Sequence, residues 1–228
     1  MGLTLPDDTQ RTSIVGRTGS GKTVAAVWHL SHANFVHRPW IVYDFKRDSL
    51  LGRLGELEGT EHIDTDYTPT RPGIYFVHPH PDDTEAVESQ MWQIWANEDT
   101  GVYVDEGYMV CGPSNSNSAF RSLLTQGRSK HIPMIILSQR PVWLDRFVFS
   151  ESDFYQLFHL NHSGDRKKMA EYIPADISEP LPKFHSYYHD VAEAKTVVLR
   201  PVPTSEEILE VFDARLDAMR LKKRRVLI

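Results

Sequence analysis

Short runs of apolar and β-branched residues alternate along the chain with longer stretches in which apolar positions recur every three or four residues. The short runs, at 12–15, 40–45, 73–78, 101–105, 134–138, 154–160, 184–189 and 196–202, read as strands. Several are apolar almost throughout, as strands buried on both faces of a sheet are. The longer stretches, at 22–33, 84–96, 118–127, 165–172 and 205–223, read as helices. This alternation predicts an α/β fold with a mostly parallel central sheet flanked by helices on both sides. Segments 184–189 and 196–202 flank a short polar turn and predict a C-terminal β-hairpin. The last helix opens on Thr204-Ser205-Glu206-Glu207, a capping-box pattern. Its apolar stripe of Ile208, Phe212, Leu216 and Met219 is expected to pack in the core or at a subunit interface. The proline-rich stretch 174–182 reads as a surface connection, and Trp92 and Trp95 as core positions of an amphipathic helix.

Bulk properties narrow this picture. The chain has 228 residues, 40% hydrophobic and 25% charged, the composition of a globular domain. A single domain is expected over 1–228, with a core at about 12–202 and a helix with a basic tail at 204–228. No apolar run is long enough for a transmembrane segment, and the N-terminus lacks the pattern of a secretory signal. The single cysteine, Cys111, excludes an intramolecular disulfide and fits a reducing, cytoplasmic setting. A net charge of −6 counts against a broad nucleic-acid-coating surface. The run Arg220-Leu221-Lys222-Lys223-Arg224-Arg225 is an exception, read either as a solvated helix end or as a polyanion contact. The 11 histidines form no converging ligand set with a second shell, so no histidine metal site is expected.

The first chemical motif is Gly16-Arg17-Thr18-Gly19-Ser20-Gly21-Lys22-Thr23, which satisfies every fixed position of the phosphate-binding P-loop pattern. Its glycines let successive backbone N–H groups turn inward around phosphates, and the following helix presents its N-terminus to them. Lys22 is placed to reach the β- and γ-phosphates, and the Thr23 hydroxyl to meet Mg²⁺. The motif sits between a predicted strand and a predicted helix, where this chemistry requires it. ATP and Mg²⁺ are the expected ligands.

The second motif is Val102-Tyr103-Val104-Asp105-Glu106, an apolar strand ending in two carboxylates. An acid at that position holds Mg²⁺, which is the expectation for Asp105. A neighbouring carboxylate beside the metal can polarise the attacking water and take its proton, which points to Glu106 as general base. The third motif runs from Gly127-Arg128 through a strand to Ser138-Gln139-Arg140-Pro141. Gln139 is read as a sensor of the γ-phosphate or as a capping amide. Arg128 is read as an arginine reaching a neighbouring subunit's γ-phosphate or as a surface residue.

Together with Ile41-Val42-Tyr43-Asp44-Phe45-Lys46, these motifs resemble, in order and kind, those of the FtsK/HerA superfamily of P-loop ATPases. Phe45 stands where that superfamily has proline, and Ser138 where it has threonine. The resemblance covers about residues 12–141. It implies a RecA/ASCE-like fold, with Lys22 and Thr23 at phosphate and Mg²⁺, Asp105 at Mg²⁺, Glu106 as base, Gln139 as sensor and Arg128 acting in trans. It further implies a homo-oligomeric ring, usually a hexamer, around double-stranded DNA. A chain this short is similar to viral genome-packaging ATPases, which implies a motor subunit docking on a capsid portal or vertex protein.

Loops facing a DNA channel are expected to touch phosphates without reading sequence. The segment 107–118 is the first candidate, through Asn115 and Asn117, with Arg121 just beyond it. Lys46, Arg47 and Arg53 are alternatives. Two rival readings remain at this level. One is a kinase-like P-loop protein, against which Glu106 and Gln139 count. The other is an ATP-controlled phage assembly or secretion factor resembling zonula-occludens-toxin-like proteins.

Overall fold

The protein is described here by a computed structural model covering residues 3–112 and 117–226, with side chains as far as Leu221. Among the described residues, nine strands form one sheet in the order β3-β4-β2-β5-β6-β1-β7-β8-β9. The strands are β1 (Arg11–Val15), β2 (Pro39–Asp44), β3 (Thr60–His62), β4 (Gly73–Val77), β5 (Gly101–Asp105), β6 (Met134–Ser138), β7 (Phe154–Leu157), β8 (Ser186–Asp190) and β9 (Lys195–Leu199). β3 through β7 in that order pair parallel, and the β8–β9 hairpin joins β7 antiparallel.

The helices are α1 (Lys22–His32), α2 (Ser49–Gly55), α3 (Thr84–Asn97), α4 (Ser118–Gln126), α5 (Arg146–Ser150), α6 (Ser163–Ala170) and α7 (Ser205–Val226). Alternate strand residues serve opposite faces. Ile41, Tyr43, Val102 and Val104 pack with Met91 of α3, Phe120 of α4, Phe149 of α5 and Met169 of α6. Val42 and Tyr103 pack with Leu30 of α1, Leu54 of α2 and Phe212 of α7. The period-two alternation therefore fills two cores, one on each side of the sheet. Strands buried on both faces need apolar residues at every position, which explains the continuous runs in the sequence.

The α7 stripe lies in this chain's own core, with Ile208, Phe212, Leu216 and Met219 all buried. Its capping box closes as expected: Thr204 N–H donates to Glu207 Oε2 (2.8 Å), and Glu207 N–H to Thr204 Oγ1 (3.3 Å).

Several elements differ from the sequence reading. α2 was not expected: it spans seven residues, too few for a periodic signal, and is started by Asp48 Oδ1 accepting from Leu50 N (2.8 Å). α5 has five residues, capped by Asp145. β3 has three residues, none of them apolar, at the sheet edge. Phe184 lies outside β8, in a turn with φ +65°. Trp92, expected in the core, is 40% exposed, because α3 buries its Val87–Met91–Ile94 face instead.

Candidate functional site

Parallel pairing places one set of strand ends on one edge of the sheet. Val15 is the register partner of Ser138, and Asp44 that of Asp105. The residues that follow, Gly16, Phe45–Lys46, Glu106 and Gln139, therefore emerge side by side. This carboxyl edge of a parallel sheet is where α/β proteins place ligands.

The phosphate loop hangs between its neighbours. Gly16 N–H donates to Ser138 O (3.2 Å) and Arg17 N–H to His159 O (3.1 Å). A Cβ on Gly16 would lie 2.5 Å from Phe158 Cβ, so only glycine fits. Gly19 and Gly21 take φ of +73° and +98°, the left-handed region that glycine enters without strain. Arg17, Thr18 and Gly19 are exposed, Ser20 and Lys22 are buried, and Thr23 is half-buried at the start of α1. Ser20 Oγ is buried without a hydrogen-bond partner.

Charges crowd at the loop's far side. Lys22 is pulled down to about 8 by burial and by its like-charged neighbour Lys46, against the attraction of Asp105 and Asp48. Burial pushes Asp105 up to about 6, opposed by Lys46 and Lys22. Asp44 is also raised by burial, with His78 Nδ1 3.6 Å from its Oδ2. Each of these groups is costly alone, and the mixed cluster offsets that cost only in part.

Glu106 is 1% exposed and takes φ 62°, ψ 65°, a left-handed conformation rare for a non-glycine residue. A turn of 3₁₀ helix, Gly107–Met109, follows it. A Cβ on Gly107 would fall 2.7 Å from Ile136 Cγ2, so the chain passes tightly over β6 here. Glu106 Oε1 pairs with Lys46 Nζ and accepts from Gln139 Nε2 (2.9 Å). Gln139 Oε1 accepts from Thr18 Oγ1 (2.7 Å). One amide thus spans from the phosphate loop to the buried carboxylate. Glu106 Oε2 is buried with no hydrogen-bond partner, an arrangement that native sites complete with water or ligand.

Gln139 is itself held from behind. Arg140 Nε donates to Asp165 Oδ2 (2.5 Å), Asp165 Oδ1 accepts from Val142 N–H (3.3 Å), and Asp165 is 1% exposed. Sequence reasoning missed Asp165, which lies on α6 far along the chain with no motif around it.

The donors near Thr23 fit a hard divalent cation. The hydroxyl and the buried Asp105 carboxylate are both oxygen ligands, as Mg²⁺ requires. Among the described residues, no group of three or more His, Cys, Asp or Glu could hold a metal ion by itself.

The expected DNA contacts fare differently. Asn117 is buried: its Oδ1 accepts from Phe120 N–H (2.8 Å) as the cap of α4, and its Nδ2 faces Met91 Sδ. It is not free to touch a polyanion, and that expectation is corrected. Lys46 pairs with Glu106 while its side chain remains 40% exposed, so it borders both the site and solvent. Arg121 is paired with Asp145 and lies over the Phe147 ring, so its charge is largely neutralised. Arg53 pairs with Glu206 (3.0 Å). Arg47 is exposed in the connection from β2 to α2, with φ 56°. Asn115 lies outside the described residues. Arg220 pairs with Glu58 (2.6 Å) and with Asp217, and the side chains of Lys222, Lys223, Arg224 and Arg225 lie outside the described residues.

Arg128 is exposed in the turn after α4. That turn adjoins the opposite edge of the sheet, where Lys130 O accepts from Asp99 N–H (2.9 Å) just before β5. Arg128 is therefore remote from its own chain's phosphate loop. No helix among the described residues is long and apolar enough to cross a membrane.

No family model matches the chain. It is 47% identical over 224 residues to the DNA packaging ATPase P9 of Enterobacteria phage PRD1, covering 93% of this chain and 96% of that protein. Its fold is similar to that of the genome packaging NTPase B204 from Sulfolobus turreted icosahedral virus 2, solved with ATP-gammaS (TM-score 0.68, 17% identity, 87% of this chain and 100% of that one). It is also similar to EssC ATPases 2 and 3 from Geobacillus thermodenitrificans (TM-score 0.64, 14% identity, 96% of this chain and 45% of that one).

Proposed function

The chain belongs to the family of the phage PRD1 DNA packaging ATPase, and from that premise we propose that it is an ATP-driven motor subunit of FtsK/HerA type that moves double-stranded DNA into a viral capsid. The observation that carries the hydrolytic part is the link from Thr18 through Gln139 to the buried Glu106. A kinase-like site would keep water from the phosphate, whereas a buried carboxylate with a free oxygen is placed to take a proton from water.

In this reading the backbone of Gly16, Arg17, Thr18, Gly19, Ser20 and Gly21 cradles the phosphates, and Lys22 neutralises the β- and γ-phosphates. Thr23 and Asp105 would hold Mg²⁺, which when bound supplies charge neutralisation at the phosphates. Glu106 acts as general base. Its pairing with Lys46 and its bond from Gln139 aim the carboxylate, while its second oxygen receives the proton. Gln139 couples the state of the phosphate loop to Glu106. Hydrolysis at Glu106 is positioned to move the segment that follows it, beginning at Gly107.

Arg128 serves the neighbouring subunit's nucleotide. Its exposure and its distance from its own site support action in trans, which requires a ring. A homo-oligomeric ring, a hexamer as the superfamily resemblance implies, with each chain one ATPase domain, meets that requirement. Such a ring docks on a capsid portal or vertex protein and acts in the host cytoplasm.

The test is steady-state ATP hydrolysis with and without linear double-stranded DNA at low salt, with Glu106→Gln as control. DNA stimulation that the variant loses is the expected result. Robust hydrolysis indifferent to DNA, in a protein shown to form rings, would replace the motor with an ATP-controlled assembly factor.

A further inference from the structure

Phe184 is out of place for a hydrophobic residue. It is 43% exposed, and its φ of +65° puts a bulky side chain in the left-handed region. Such an outlier persists only where its surroundings impose it, and it points to a function. The surroundings here are the phosphate loop. A Cβ placed on Gly21 would meet Phe184 Cδ1 at 3.3 Å and Phe158 Cε1 at 3.6 Å. Two aromatic rings thus abut the residue directly before Lys22, one of them buried and the other open to solvent.

The turn that presents Phe184 is fixed locally. His185 N–H donates to Pro182 O (3.0 Å), and the imidazole of His185 lies 3.2 Å from Lys183 O. β8 begins two residues later and anchors the turn to β7. Lys183 Nζ lies 4.7 Å from the centre of the Phe184 ring, an exposed and movable cation beside an exposed π-face. A triphosphate seated on Gly16–Thr23 must direct its nucleoside out of the loop, and this exposed ring lies against the loop at Gly21.

We propose that Phe184 is the platform on which the nucleobase of the bound nucleoside triphosphate stacks. This inference rests on the reading of Gly16–Thr23 as the triphosphate site. It adds the group that holds the base, which no motif in the sequence indicates. Stacking recognises the π-face of the base and leaves its edge unread.

The test separates base from phosphate. The full chain is titrated with MgATP and with magnesium tripolyphosphate, which carries the phosphates without a base. Phe184→Ala is expected to weaken ATP about tenfold or more, the range of base–aromatic stacking, and to leave tripolyphosphate unchanged. Phe184→Leu keeps apolar packing on Gly21 and is expected to show the same ATP-selective loss. Phe184→Trp is expected to restore ATP affinity and to add an indole signal that ATP quenches and tripolyphosphate does not. Unchanged ATP affinity in Phe184→Ala, or equal loss of both ligands in Phe184→Ala and Phe184→Leu, overturns the platform. Lys22→Ala is run in parallel. If it binds both ligands like the wild type, the triphosphate site itself is misplaced, a failure distinct from that of Phe184.

Discussion

Removing the Gln139 amide breaks two side-chain hydrogen bonds at once: the 2.9 Å bond to Glu106 and the 2.7 Å bond from Thr18. The first is made to a buried carboxylate, a class of bond contributing about 1.5–3 kcal/mol, and the second is exposed and contributes about 0.5 kcal/mol. Water entering the half-open site replaces part of both, so Gln139→Ala is expected to lose about 1–2 kcal/mol of stability. For a chain of this length that lowers Tm by about 5 °C. The effect on catalysis is expected to be larger. Glu106 keeps Lys46 but loses the donor that aims it at the phosphate loop, and turnover should fall about 100-fold. ATP affinity should stay within about threefold, because the backbone cradle and Lys22 are untouched. Gln139→Glu sharpens the test. It is isosteric but sets a second carboxylate against Glu106, so turnover should fall as far as in the alanine variant. The assay is single-turnover hydrolysis alongside equilibrium binding of a non-hydrolysable analogue. Turnover within threefold of wild type in both variants, or a loss of binding that accounts for the whole loss of rate, would refute the idea that this amide couples loop to base.

Further outcomes follow from other contacts. Glu106→Gln should retain ATP binding while hydrolysis falls at least 100-fold, and unchanged turnover would remove Glu106 as base. Arg128→Ala subunits mixed with Glu106→Gln subunits should recover activity at hybrid interfaces; no recovery in rings that still assemble would count against action in trans. His29 is buried on α1, held by Gln156 Oε1 at 2.8 Å, and burial lowers its pKa to about 4. An unfolded histidine titrates near 6.5, so the unfolded chain binds the proton first. The contribution of neutral His29 is therefore present above about pH 6.5 and is lost as pH falls toward 4, by up to about 3 kcal/mol. Denaturant unfolding across that window should show a slope that His29→Gln flattens. Gly101→Ala should lower Tm by about 5 °C, because the added Cβ would lie 2.2 Å from the Trp40 ring, an overpacking of about 1–3 kcal/mol. It should leave Lys22-dependent nucleotide binding intact.

How much of this was legible in the sequence depends on how far apart the interacting residues lie. The parallel sheet was readable because strands buried on both faces need apolar residues at every position, and 101–105 and 134–138 matched the observed strands to the residue. The phosphate loop was readable because its chemistry imposes glycines at fixed spacing within eight residues. Elements of three to seven residues, such as β3, α5 and α2, span too little chain for a period to emerge. Asn117 was misread for a different reason. Composition made it look like a surface polar group, but the cap of α4 claims its side chain, and that use is not written in the local pattern. The same limit applies to the supports of the site. Asp165 is 25 residues from Arg140, and Phe184 is more than 160 residues from Gly21, so only the pairing of β6, β1, β7 and β8 brings them together. A motif displays the residues that meet the phosphates. The residues that aim the base, hold Gln139 in place and abut the phosphate loop come from strand order, and they carry the predictions that would fail first if the assignment of this site were wrong.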